Sequence, residues 1–277
     1  MTHKIILLGA LLQVIACTGA SQPVGGEREP EGKRSPHVVI LGDSNSSIGG
    51  DSCDNEIGWT KWFREIVEPA SCHSYARSGA TWSNTTKTKH NEKEKTAKLS
   101  DDNVIYNQIC RLITACDAGM QPQPDIIIIA AGTNDAWFTK RRPHALDTVP
   151  AEVLVRGDSL TSLPPSSLLT VGEAVVANCA LIKSRFPRAK VILLTPLQCT
   201  ATTVERIRRV GDIIESCGRL LNIAVVRQDE VCPIRREEEI ERHRYTTDGT
   251  HTNAVGAEAN GRILADIVTK YLGRQQQ

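Results

Sequence analysis

Apolar and polar positions alternate along this chain in two registers. Short, almost unbroken apolar runs at residues 37–41 (HVVIL), 125–130 (DIIIIA), 190–195 (KVILLT) and 223–227 (IAVVR) fit strands buried on both faces. Residues 73–76 are a weaker candidate. Between these runs, residues 59–67, 104–116, 171–186, 204–221 and 254–271 repeat their apolar positions at helical spacing. Strands that alternate with helices predict an α/β chain, a three-layer α/β/α sandwich around a mostly parallel, five-stranded central sheet. Such sheets bind ligands beyond the carboxyl ends of their strands, so chemistry is to be sought in the loops that follow them.

The N-terminus has a different pattern. Lys4 precedes a stretch, residues 5–15, that is apolar except for Gln13 and too short to span a bilayer. Small residues follow, as in a secretory leader, here residues 1–20. Val14-Ile15-Ala16-Cys17 resembles a bacterial lipobox, which would make Cys17 a lipidated residue and a lipid anchor the chain's membrane link. Cleavage after Ala20 would discard Cys17 instead. Either way the chain is expected to be exported, to a bacterial periplasm or cell surface. Residues 21–35 (SQPVGGEREPEGKRS) read as a flexible linker, residues 36–273 as the folded domain and residues 274–277 as a disordered tail.

Composition narrows the function classes. Apolar residues are 40% and charged residues 23%, enough for a sizeable core, and the net charge is only +1. A near-neutral chain offers no bulk electrostatic reason to bind nucleic acid or anionic lipid. Aromatics at 4% argue against an extended stacking platform. Of nine cysteines, eight remain once Cys17 is lipidated or removed. Cys110 and Cys116 fall on one predicted helix, about 9 Å apart along its axis, too far to bridge. Cys199 and Cys232 each follow a predicted strand and are a candidate pair; buried free thiols are the alternative.

Four short stretches carry candidate chemistry. Gly42-Asp43-Ser44-Asn45 follows the first strand, where a serine hydroxyl at the sheet edge serves as a nucleophile if a base takes its proton. Ser78-Gly79-Ala80-Thr81 follows the weak second strand, and a glycine there lets a backbone N–H approach a ligand. Gly132-Thr133-Asn134-Asp135 follows the next strand and can aim the Asn134 amide at developing negative charge. Asp248-Gly249-Thr250-His251 precedes the last helix and pairs a carboxylate with an imidazole. Each fragment alone also reads as an ordinary turn or helix cap.

Taken together these blocks resemble the SGNH hydrolases of the GDSL esterase/lipase superfamily, over essentially the whole domain from Pro36 to Leu272. Gly42-Asp43-Ser44 matches the first block, with Asn45 where leucine often stands. Gly79, Asn134 and the Asp248…His251 pair match the others. An asparagine usual upstream of the second block is replaced by Tyr75-Ala76-Arg77. The resemblance implies a flavodoxin-like fold and cofactor-free, metal-free ester hydrolysis. Ser44, Asp248 and His251 would be catalytic, and Ser44, Gly79 and Asn134 would form an oxyanion hole.

Substrate contacts are expected from Asp43, Trp137 and Phe138, core packing under the following loop being the other reading of the two aromatics, with residues 139–170 and 87–98 as irregular rims of the crevice. A polar rim with few aromatics favours short acyl groups, acetyl above all, on a small molecule or glycan; lipase, lysophospholipase or thioesterase activity is the alternative. A catalytically silent glycan-binding protein on the same scaffold is the reading from another class. A nucleotide-binding module has poor support, because residues 42–50 carry neither G-x-G-x-x-G nor a P-loop lysine. His243 sits in a mixed-charge run (RREEEIERHR) expected to be a solvated helix face. His37, His73, His90 and His144 are expected to lack a suitably spaced carboxylate. Asn45-Ser46-Ser47 and Asn84-Thr85-Thr86 are formal glycosylation acceptors, which a bacterial leader would make irrelevant.

Overall fold

The computed structural model describes residues 34–89, 103–155 and 157–274. The leader, Cys17, most of the linker, His90 and the polar excursion beyond residue 89 therefore lie outside the described residues. In chain order the elements are β1 (His37–Gly42), α1 (Ser44–Ser47), α2 (Trp59–Val67), β2 (Ser71–Ser74), α3 (Ile105–Asp117), β3 (Ile126–Ala130), α4 (Thr133–Trp137), α5 (Ala151–Leu154), α6 (Gly157–Thr161), α7 (Val171–Arg185), β4 (Lys190–Leu194), α8 (Val204–Leu221), β5 (Ala224–Val226), α9 (Gln228–Val231), α10 (Arg236–Arg242) and α11 (Ala254–Arg274).

The five strands are all parallel, in the order β2-β1-β3-β4-β5. Period-two alternation sends Val39, Leu41, Ile127, Ile129, Val191 and Leu193 to one face, where α3, α7 and α8 cover them. Val38, Ile40, Ile126, Ile128, Ile192 and Leu194 point to the other, against α2 and α11. Both faces are buried, which is why the strand segments are continuously apolar. This is the expected three-layer sandwich. Strand order reverses at β1, between β2 and β3, so a crevice opens at the carboxyl ends of β1 and β3.

Two helices, α2 and α8, have the boundaries their periodicity predicts. The second strand lies two residues upstream of its expected place, as SCHS. An edge strand with one neighbour needs little apolar character, and SCHS has little. Residues 139–170, expected to be irregular, carry α5, α6 and a 3₁₀ turn at Pro165–Ser167. The charged run does form α10, but Glu239 is fully buried, accepting the backbone N–H groups of Tyr245 and Thr246 at 2.9 and 3.0 Å and the Thr246 hydroxyl. Of the two alternatives for Cys199 and Cys232, the structure has the free thiols. All eight described cysteines are thiols, and these two pack in separate apolar clusters.

Gly42 ends β1 where two backbones nearly touch: a Cβ there would lie 2.4 Å from the Ala130 carbonyl oxygen and 2.9 Å from Ser46 Oγ. The carbonyl, being backbone, cannot yield without moving β3. Gly42→Ala should therefore destabilise the fold by about 1–3 kcal/mol, the usual cost of overpacking. Thermal denaturation would read this as a fall in Tm of roughly 2–4 °C per kcal/mol.

Candidate active site

Asp43 caps the short helix α1, its carboxylate accepting the Asn45 N–H at 3.1 Å. That turn leaves Ser44 at the mouth of the β1 crevice. Gln108, fully buried on α3, grips the strand end from behind: its Oε1 accepts the Gly42 N–H and its Nε2 donates to the Gly42 carbonyl, both at 2.8 Å.

The opposite wall comes from the loop before α11. Asp248 Oδ1 accepts the N–H groups of Thr250 and His251 at 2.9 and 2.8 Å, and its Oδ2 lies 2.7 Å from His251 Nδ1. Partial burial pushes the Asp248 carboxyl up, but the bonds from His251 and Thr250 outweigh it and hold the group below the usual carboxylate range. Gly249 has a φ of +81°, and a Cβ there would lie 2.1 Å from Thr200 Oγ1. His251 Nε2 stands 3.0 Å from Ser44 Oγ. Serine, imidazole and carboxylate thus form one hydrogen-bonded line.

Asn45 joins the two walls. Its Nδ2 donates to the Thr250 carbonyl at 3.1 Å and its Oδ1 accepts the Thr252 N–H at 3.3 Å, bracketing His251. Asn45 is buried, as is Asn84, so neither glycosylation acceptor is available to a glycan in the folded chain.

Gly79 lies in a turn at φ +74°. That turn is brought to the site from two sides: Arg77 N donates to the Gly42 carbonyl at 3.0 Å, and Asn134 Nδ2 donates to the Ala80 carbonyl at 2.9 Å. Beneath it, fully buried Asp135 accepts the N–H groups of Trp82 and Ser83 at 3.0 and 2.9 Å and the Ser83 hydroxyl at 2.5 Å. Burial pushes the Asp135 carboxyl up, against these bonds and the charge of Arg142. Asn45, Gln108 and Asp135 were not singled out from the sequence for these supporting roles. Their partners are too remote in the chain for any local pattern to show.

Two expectations need correction. Asp43 was expected to touch substrate; it is only 3% exposed and turned inward to Asn45 and Thr133. Burial pushes it up to about 6, against the opposing hydrogen bonds and the nearby His251. His144 does have a carboxylate, Asp147 Oδ2 at 2.9 Å, but both side chains are more than half exposed. His37 Nδ1 instead meets Ser71 Oγ at 2.8 Å, His73 stacks edge-on against Tyr75, and exposed His243 ends α10 at φ +46°. Trp137 is 40% exposed and stacks on Phe138, ring centroids 4.7 Å apart and 18° from parallel. Among the described residues no cluster of three or more His, Cys, Asp or Glu side chains could hold a metal ion, and no helix is long and apolar enough to cross a membrane.

Solved structures share this architecture. A protein described as a possible lipase from Chitinophaga pinensis aligns with a TM-score of 0.55 at 15% identity, over 85% of this chain and 98% of its own. One assigned as a GDSL-like lipase from Bacteroides ovatus gives 0.53 at 20% identity, over 86% and 100%. The chain has the SGNH/GDSL hydrolase fold. An acetyl xylan esterase shares it too, with a TM-score of 0.52 at 16% identity, over 83% of this chain and 99% of its own. No protein-family model and no curated protein sequence matches the chain.

Two outcomes follow from these contacts. Because the Asp43 carboxyl is raised from 3.8 to about 6 in the folded chain, its contribution to stability is present below pH 3.8 and lost as pH rises through 6. Asp43→Asn removes that loss, so the variant should gain on the parent by about 3 kcal/mol between pH 3 and pH 8, read as a relative Tm rise of roughly 6–12 °C. Asn45→Leu removes both bonds across the crevice. It should slow labelling of Ser44 by a fluorophosphonate about ten- to a hundredfold through misplacement of His251.

Proposed function

We propose that this chain is a serine esterase that hydrolyses carboxylic esters through an acyl-enzyme, and that its substrates are short acyl groups, acetyl above all, on a carbohydrate. The observation that carries the reading is the line Ser44 Oγ–His251 Nε2 at 3.0 Å and His251 Nδ1–Asp248 Oδ2 at 2.7 Å. A silent binding protein would not need a nucleophile, base and orienter in register.

In the first half-reaction His251 Nε2 takes the Ser44 hydroxyl proton as Oγ bonds to the ester carbonyl carbon. Asp248 holds Nδ1–H, so the acceptor lone pair faces the serine. The tetrahedral oxyanion is bound by the N–H groups of Ser44 and Gly79 and by the Asn134 amide, whose NH₂ keeps one hydrogen on Ala80 and offers the other. Each such donor is worth about 3–4 kcal/mol of barrier. His251 then gives its proton to the leaving alcohol. A water, deprotonated by the same imidazole, attacks the acyl-serine and restores the free hydroxyl.

Support for a carbohydrate carrier comes from Trp137. Its exposed ring, one helical turn beyond Asn134 on α4, offers an apolar face of the kind on which a pyranose ring stacks. The acetyl xylan esterase among the structures that share the fold is consistent with this choice. From the leader pattern alone we also propose export from the cytoplasm, with Cys17 as a lipid anchor unless cleavage after Ala20 removes it.

The deciding experiment is a p-nitrophenyl ester series from acetate to laurate beside acetylated xylo-oligosaccharides. The acetate should give the highest kcat/KM. Ser44→Ala should lower kcat by at least roughly ten-thousand-fold with the fold intact, and full turnover by that variant would sink the assignment. Trp137→Ala should raise KM for the oligosaccharide by roughly tenfold or less, in keeping with about 1 kcal/mol of stacking, and leave p-nitrophenyl acetate unaffected. A maximum at laurate would replace the carbohydrate ester with a lipid one.

A further inference from the structure

Two of the thiols meet where the backbone leaves the sheet weakly tied. Cys72 lies on β2, an edge strand whose sole sheet neighbour is β1, and its side chain is partly exposed. Cys53 lies in the irregular stretch between α1 and α2 and is fully buried. Its φ is +54°, a conformation that residues bearing a Cβ rarely adopt, yet the position holds cysteine rather than glycine.

The stretch is laid along β2 by backbone bonds. Ser74 N donates to the Asp51 carbonyl at 2.8 Å, and Arg64 Nη1 donates to the Ser52 carbonyl at 2.7 Å. Cys53 lies in the apolar cluster on the α2/α11 face and Cys72 packs against that cluster, with the Cys53 thiol the first cause of the raised Cys72 pKa. Elsewhere thiols turn to carbonyls: Cys217 Sγ to Gly172 at 3.7 Å and Cys116 Sγ to Pro122 at 3.8 Å.

We infer that Cys53 and Cys72 are a disulfide-forming pair, closed by thiol–disulfide exchange with an external low-molecular-weight disulfide as the exported chain folds. The Cys72 thiolate attacks one sulfur of that disulfide and expels the first thiolate, leaving a mixed disulfide at Cys72. Cys53, deprotonated in turn, attacks the Cys72 sulfur and expels the second. Two protein thiols are oxidised to one S–S bond, the external disulfide is reduced to two thiols, and the two protons pass to the departing thiolates. The contact with Cys53, then burial, hold the Cys72 thiol above the usual thiol range, with Arg64 opposing. Exchange on the finished fold is accordingly slow, and the bond closes while β2 is still docking.

The bond would tie β2 to the stretch that also reaches the base. Ile57, four residues beyond Cys53, presents its carbonyl to Thr252 Oγ1 at 2.8 Å, next to His251. Its effect is to restrict the unfolded chain between residues 53 and 72.

The test uses the full chain, unfolded, refolded with oxidised glutathione, alkylated under denaturing conditions, digested and mapped by mass spectrometry. A peptide joining Cys53 to Cys72, two hydrogens lighter than its parts, is expected, with the other six described cysteines alkylated. Reduction should lower Tm by roughly 6–12 °C. The double variant Cys53→Ser/Cys72→Ser should already be that much less stable and be insensitive to reductant. Hydrolysis of p-nitrophenyl acetate per folded molecule should stay within about twofold, so this result is independent of the esterase reading. Alkylation of both cysteines in the oxidised chain, or their capture in other pairs, overturns the inference. If the double variant does not fold, the map of the parent chain decides alone.

Discussion

A hydroxyl and an imidazole 207 residues apart in the chain stand 3.0 Å apart in space, and no single element enforces that distance. The sheet brings the two loops to one edge. A hydrogen bond, however, needs its partners placed to a few tenths of an ångström, and loops on a sheet edge are not held so tightly by apolar packing. The amide of Asn45 supplies the missing constraint. It is next to the nucleophile in sequence, and it grips the backbone on either side of the base.

The same device recurs at each corner of the site. Gln108 fixes the end of β1 through both backbone groups of Gly42, and Asp135 fixes the turn that carries Gly79 through three donors. These polar groups are fully buried, and burying them without partners would cost several kcal/mol each. With partners they become rigid braces, because any displacement exposes that cost. Asp43 is the exception, a carboxyl whose burial outweighs its hydrogen bonds so that it is pushed up to about 6. Such an imbalance is tolerated where a local stability loss sits beside the chemistry.

The layers of the fold were legible in the sequence because burial on both faces leaves no alternation to decode: DIIIIA reads as a core strand at sight. The four blocks were legible because three follow a strand and the fourth precedes the last helix, places where glycine, serine, asparagine or histidine stands out against apolar neighbours. β2 was misplaced by two residues, since SCHS, paired along one edge only, carries no pattern of its own. Glu239 was misjudged for the opposite reason. Its run is charged all round, and nothing local says that one carboxylate turns inward to take the backbone of Tyr245 and Thr246. The braces share this property, as their partners lie from 52 to 207 residues away.

Three aspartates near the serine divide the work by exposure. Asp43 and Asp135 are sealed from water and serve only the backbone and side chains that surround them. Asp248, aligned with the imidazole, has a side chain 54% exposed. In that setting its charge is screened, and the direct attraction between carboxylate and imidazolium is worth little. Its leverage is geometric instead. Bound to the N–H groups of Thr250 and His251, the carboxylate cannot rotate away, so it fixes the ring plane and the tautomer that leaves Nε2 free to accept a proton. The fold therefore uses its buried carboxylates to hold loops still and leaves the Ser44–His251–Asp248 line at the rim, within reach of the proposed ester and of water.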